Sequence, residues 1–391
     1  MLRSVPGGPS TRPPTSPALE LKNVWKLYGS PNKMRAAARS VAKAQDDADR
    51  ASVQKAHGVF AALAGVDLEV RQNETLAIVG QSGSGKSTLV RHLNGLLTPT
   101  TGQVVVQGRD ISTLRTRALQ ALRATQVGMV FQSTSLFPHR TVLENVVFGL
   151  EVRGVPRRDA EATARKWLER VELLPWIDRY PSELSGGMQQ RVGLARTLAT
   201  DPEILLLDEP FSALDPLIRR SLQDEFVALV AEYRKTAVFI THDFAEAIRI
   251  ADRIAVMTDG RIVQVGTPRE ILFTPATAGV ASFATQEAKA GYVQASDIAR
   301  RGPHPVARAI TIPARTPLSD LVSRINSDGD LCFHVVDASG DVLGWIDRSV
   351  LIACMDDMLG SAPAGAKDTE GCTKDCKDCP RQMCLTASSA C

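Results

Sequence analysis

What this chain has little of already narrows its work. Its apolar runs, such as Ile204–Leu207, fall far short of the ~20 residues a membrane-spanning helix needs, so it cannot itself form a helical channel. Cysteine is absent before Cys332 and all seven lie from there on, which argues against a disulfide-stapled secreted framework for the larger part. An excess of one charge sign is missing too. The 46 Lys and Arg against 43 Asp and Glu leave a net +3, too balanced for a nucleic-acid footprint. The opening residues MLRSVPGGPSTRPPTSPALE lack the apolar core of a secretory signal and are rich in Pro, Ser and Gly. A disordered extension over residues 1–17 and a cytoplasmic location are expected.

What is present is an ordinary globular composition, 44% hydrophobic and 23% charged over 391 residues. Single cores rarely grow past roughly 250–300 residues, so one large α/β domain and a smaller one are expected. Ala18–Val24 reads as a strand and the polar, Ala-rich stretch Lys33–Ala56 as a helical insertion before the next strand, Gly65–Val70. Thr75–Val79 is a short buried strand ending at Gly80. From about 133 to 200 charged and apolar residues alternate at helical spacing, with Leu168, Val171 and Leu174 on one face, predicting a helical subdomain. Ile204–Leu207 and Ala237–Ile240 resume the strand pattern, each followed by a helical one, the rhythm of a parallel sheet with crossover helices.

Gly80, Gln81, Ser82, Gly83, Ser84, Gly85, Lys86, Ser87 and Thr88 match the phosphate-loop pattern G-x-x-x-x-G-K-[ST]. They stand between a buried strand and an amphipathic helix carrying Leu89, Val90, Leu93 and Leu96. Glycines let the backbone curl so that successive N–H groups point inward, and the helix adds its positive end, forming a nest for anionic oxygens. Lys86 would neutralise β- and γ-phosphate charge, and the Ser87 hydroxyl is a hard oxygen suited to Mg²⁺.

Ile204–Pro210 delivers two adjacent carboxylates at a strand's C-terminal end, where open α/β sheets bind ligands. Asp208 suits a Mg²⁺ shell through water; Glu209 suits an acceptor that polarises water attacking a γ-phosphate. Leu184–Arg191, LSGGMQQR, makes a second Gly-containing helix start with Ser185 as N-cap.

The phosphate loop, LSGGMQQR and LLLDEP, in that order, resemble the nucleotide-binding domain of ATP-binding-cassette (ABC) transporters over roughly residues 18–285. The resemblance implies an ATPase using ATP and Mg²⁺, with a phosphate-loop α/β core and a helical subdomain. It implies that Gln132 is the Q-loop glutamine near Mg²⁺, that Tyr28 stacks on adenine, that Ser212–Asp215 is the D-loop with Asp215 reaching across a dimer, and that His242 contacts the γ-phosphate. Ser185, Gly186, Gly187 and Gln189 of one chain would close on ATP held by Lys86 of another, in a homodimer or with a related cassette. Transmembrane permease subunits, a solute-binding protein, and a peripheral place on the cytoplasmic face of the inner membrane follow from the same resemblance; nucleic acid does not.

The insertion between Tyr28 and Gly80, with Phe137–Asn145, resembles importers of glycine betaine, proline and choline. An amino-acid importer is the alternative within the class, and a soluble non-transport cassette ATPase the alternative outside it. Over 286–360 the order helix, strand, strand, helix, with Leu318, Leu321, Val322 and Ile325 as an apolar stripe, resembles one cystathionine-β-synthase-type (CBS) module. Gly344–Val350 lacks the polar positions that hold adenosine in such modules, favouring dimerisation over nucleotide sensing. Residues 361–391, with Cys372, Cys376, Cys379, Cys384 and Cys391, are expected to be a flexible thiol-bearing tail, with metal binding as the alternative.

Overall fold

A computed structural model describes residues 17–44, 50–132, 135–212, 214–302, 309–327 and 332–359. The expected extension up to residue 16 and the cysteine-bearing tail lie outside them. The chain divides into two compact units, one comprising the residues through Gln294 together with Thr316–Leu321, the other Ala295–Arg315 and the residues from Val322 on.

The first unit is built on two sheets. β1 (Leu19–Tyr28), β2 (Phe60–Val70), β4 (Thr101–Val106) and β5 (Arg109–Asp110) form an antiparallel sheet in the order β2-β1-β4-β5. β3 (Thr75–Val79), β6 (Val127–Val130), β7 (Ile204–Asp208), β8 (Thr236–Thr241), β9 (Arg253–Thr258) and β10 (Arg261–Gly266) form the other, in the order β10-β9-β3-β8-β7-β6. All its pairings are parallel except β10 on β9. Every residue of β3, β7 and β8 is buried, as expected of parallel strands covered on both faces.

Alternation along these strands sends their side chains into separate cores. Leu76, Ile78, Leu206 and Ile240 meet Leu89, Val90 and Leu93 of the helix Lys86–Leu93 and the antiparallel sheet. Leu205, Leu207, Ala237 and Phe239 meet Val192, Leu198 and Phe226 from the helices Gly186–Ala199 and Pro216–Glu232. Ala77 and Val79 pack instead with Phe244, Ile254, Ile271 and Leu272. Each fully buried Leu, Ile or Phe contributes about 1.5–3 kcal/mol relative to its exposed state.

The helical region contains Val142–Val152, Arg157–Arg170 and Gly186–Ala199. The first is started by a capping box in which Thr141 and Glu144 satisfy each other's backbone N–H. Leu168 and Val171 are fully buried here, but Leu174 is 37% exposed. The helix ends at Arg170, so Leu174 lies in a separate 3₁₀ turn and leaves the apolar stripe. Leu96 likewise departs from expectation: its helix stops at Leu93 with Asn94 as C-cap, and Leu96 is 44% exposed. The inserted stretch forms helices Pro31–Ala44 and Arg50–His57, whose Ala37, Val41 and Val53 pack against Trp25, Leu27 and Val59.

In the second unit β11 (Ile310–Pro313) lies parallel to β12 (Phe333–Val336), which pairs antiparallel with β13 (Val342–Ile346). Ile312, Phe333, Val335 and Ile346 are buried, with Val350 and Leu351 of the helix Arg348–Leu359. The turn before β13 is set by the Asp337 carboxylate, which accepts from Ser339 N and Asp341 N.

Candidate nucleotide-binding and hydrolysis site

The loop after β3 is shaped by what surrounds it. A Cβ at Gly80 would stand 2.2 Å from the Met257 carbonyl oxygen, and one at Gly85 would stand 2.7 Å from that of Ala62. Gly85 also has φ 107°, which L side chains rarely adopt, so both positions demand glycine. Inside the loop, the Lys86 ammonium donates to Gly80 O at 2.7 Å and Gln81 O at 3.0 Å. Burial pushes its pKa down, while the charges of Glu209 and Asp208 pull it back up.

The parallel register carries β7 and β8 to the same edge as this loop. Ser87 Oγ donates to Asp208 Oδ1 at 3.0 Å. Asp208 is buried, and burial raises its pKa despite that hydrogen bond and the nearby Arg91 and Lys86. Glu209 follows with φ 47°, a strained left-handed conformation that turns its carboxylate away from the strand direction. Its Oε2 lies 3.1 Å from His242 Nδ1 and 3.5 Å from Gln132 Nε2. Thus Lys86, Ser87, Gln132, Asp208, Glu209 and His242, far apart in the sequence, meet at the C-terminal ends of β3, β6, β7 and β8.

The remaining expected residues lie elsewhere. Tyr28 ends β1, 42% exposed, with Lys26 Nζ 5.4 Å from its ring centre. Ser185 caps the helix Gly186–Ala199, accepting from Met188 N at 3.3 Å. The Gln189 amide donates to Pro181 O and Leu184 O, bracing the turn before that helix. Asp215 caps Pro216–Glu232 by accepting from Leu217 N and Ile218 N. None of these hydrogen bonds reaches the phosphate loop of the same chain.

Comparison with known proteins gives this arrangement its context. The ABC transporter family pattern matches residues 63–212. The trimethylamine N-oxide transport system ATP-binding protein TmoW of Ruegeria pomeroyi is 45% identical over 333 residues, covering 85% of this chain and 95% of TmoW. The chain is an ABC transporter ATPase. The glycine betaine/proline betaine transport system ATP-binding protein ProV of Escherichia coli is 44% identical over 290 residues, 74% of this chain and 71% of ProV. Among solved structures, the ATP-binding cassette MJ0796, a dimer in a post-hydrolysis state bound to ADP and Pi, matches with TM-score 0.53 and 31% identity, over 64% of this chain and 98% of that one.

For such a cassette the residues present fit a triphosphate and Mg²⁺. The loop has glycine where any side chain would strike the neighbouring backbone, a lysine ammonium inside it, and the buried Ser84 hydroxyl without a hydrogen-bond partner. Ser87 and Asp208 supply hard oxygen donors, the type Mg²⁺ takes. Sequence reasoning missed the cradle's walls, Ala62 O and Met257 O, which come from β2 and β9 and bear no motif. Their only signal is that Gly80 and Gly85 need close backbone approach. Among the described residues no helix is long and apolar enough to cross a membrane.

Proposed function

We propose that this ATPase powers import of a small methylated-amine osmolyte of the glycine betaine, proline betaine, choline or trimethylamine N-oxide kind. The match to TmoW over 95% of that protein's length is the observation that carries it, supported by ProV at 44% identity. Betaines and trimethylamine N-oxide share a compact fully substituted nitrogen cation beside an anionic oxygen, so one transporter architecture can serve both.

Two copies pair so that Ser185, Gly186 and Gly187 of one close on nucleotide held by Lys86 of the other, and permease subunits and a solute-binding protein complete the assembly. Lys86 exchanges its two carbonyl partners for phosphate oxygens, and Tyr28 offers an exposed ring for the base. Ser87 and Asp208 would hold Mg²⁺, with Gln132 beside them; when bound it neutralises charge on the phosphate oxygens. Glu209 orients the attacking water and accepts its proton, and His242, within hydrogen-bond reach of Glu209, holds that carboxylate in place beside the γ-phosphate.

Uptake by the assembled transporter tests this reading, with glycine betaine, choline, proline and trimethylamine N-oxide offered separately. At least one should accumulate in an ATP-dependent way, and Glu209→Gln should cut uptake and phosphate release roughly 100-fold or more while nucleotide still binds. An active ATPase whose loss leaves uptake of all four unchanged would refute the solute assignment.

A further inference from the structure

Arg219, one turn into the helix Pro216–Glu232, has no place in the site as described above, yet its guanidinium faces three parts of it. One nitrogen donates to Leu214 O at 2.9 Å and Ser212 O at 3.3 Å, gripping the turn between Glu209 and Asp215. Another lies 3.9 Å from Asp243 Oδ2, on the residue after His242. The Asp243 carboxylate is divided between two tasks: Oδ1 accepts from Ala245 N and Glu246 N, capping the helix Phe244–Ile250, while Oδ2 faces Arg219.

The interactions close a ring. Glu209 O accepts from Ser212 N at 3.4 Å and Ser212 Oγ at 3.1 Å; Ser212 O and Leu214 O bind Arg219; Arg219 meets Asp243; Asp243 adjoins His242, whose Nδ1 returns to Glu209 Oε2. The ring thus joins Arg219 to Glu209 through Ser212 on one side and to His242 through Asp243 on the other.

We propose that Arg219 is a positioning residue for hydrolysis, coupling the Ser212–Asp215 turn to the His242–Glu209 pair. This rests on the reading of Glu209 and His242 given above. When the turn meets a second copy, any shift in its carbonyls pulls the guanidinium and so moves Asp243 and the imidazole beside it. A lysine could not serve, because one ammonium lacks the planar fork that reaches two carbonyls and a carboxylate together.

A purely structural tie is the competing role, and the same helix pair shows why Arg219 is not needed for that. Pro216–Glu232 and Phe244–Ile250 are also held by buried Gln223 Nε2 on Glu246 Oε1 at 2.9 Å, and by the two-pronged pair of Arg249 with Asp224, at 2.7 and 2.8 Å. Neither reaches the turn or the histidine. The Arg219–Asp243 pair is part-exposed and contributes little to stability by itself.

The test uses the full chain and measures kcat and KM for ATP, nucleotide affinity and thermal stability. Arg219→Gln should lower kcat about tenfold, the scale of losing charge-assisted hydrogen bonds, with nucleotide affinity within about twofold of the parent. Asp243→Asn keeps a good N-cap and removes only the charge facing Arg219. It should lower kcat by roughly threefold, and the double variant should be no slower than Arg219→Gln alone. Asp224→Asn, which cuts the outer tie without reaching the turn or the histidine, should leave kcat unchanged and shift the melting temperature little. A kcat for Arg219→Gln within twofold of the parent, a matching fall in Asp224→Asn, or full additivity with Asp243→Asn would each overturn the proposal. Should Arg219→Gln not fold, Asp243→Asn carries the test alone. If His242→Ala and Glu209→Gln retain turnover, the reading of the site fails first, and separately.

Discussion

Two helix starts in this molecule could each receive an anion, and they are built to opposite standards. The start at Lys86 is walled by backbone: Gly85 sits at φ 107° against Ala62 O, and the lysine already fills the loop. The start at Gly186 is open. A Cβ there would find only a Leu214 methyl at 3.9 Å, and the sole side-chain cap is Ser185 on Met188 N. The first site is preorganised within one chain, whereas the second presents Gly186 outward, with Gly187 buried against Ile218 behind it. The difference teaches that completeness must be judged by walls, not by motif. A walled nest can bind alone; an open one requires something to close on it.

The sharpest way to break this comparison is the same substitution at both starts. Gly85→Ala should cost the isolated chain about 1–3 kcal/mol through its positive φ and the Ala62 carbonyl, and abolish nucleotide binding. Gly186→Ala should leave stability unchanged or slightly raised, since alanine is the better helix former, and leave single-chain nucleotide affinity intact while ATPase activity falls. Melting curves beside nucleotide titrations read both. Equal damage at the two positions would erase the distinction.

Mixing defective chains sharpens it. Lys86→Ala and Gly187→Arg should each be inactive alone, yet a one-to-one mixture should regain roughly a quarter of parental phosphate release, because half of random dimers contain one intact composite site. No recovery would mean that each chain completes its own site.

The smallest effect concerns the lysine without nucleotide. Its pKa is lowered by burial, so the charged form costs stability at pH values below its folded-state pKa. Lys86→Met should therefore melt slightly higher than the parent near neutral pH, and the gap should shrink as pH rises toward the ordinary lysine value. A variant that melts lower at pH 7 would show that the two carbonyl hydrogen bonds outweigh desolvation.

The features legible in the sequence are those whose cause is local. Gly80–Thr88 and Ser185 declare themselves because loop curvature and capping are set by residues a few positions apart. The strand order β10-β9-β3-β8-β7-β6 does not, since pairing Leu76 with Val238 depends on the energy of a whole sheet. Leu174 was misplaced because a 3.6-residue period continues on paper past Arg170, where the backbone tightens into another turn. Arg219 was invisible for a related reason: it binds backbone carbonyls of the Ser212–Asp215 turn and the capping residue Asp243, and neither kind of contact shows in a side-chain pattern.

The position of Lys86 has one more consequence. Because its ammonium already rests on the carbonyls of Gly80 and Gln81, an arriving anion meets a cation with prior commitments. A lone phosphate or sulfate can take over those bonds at one point of the nest, whereas a polyphosphate chain also runs along the loop and engages it at several points at once. The loop's own carbonyls thus compete with any anion for the Lys86 ammonium, and the anion with most points of attachment competes best.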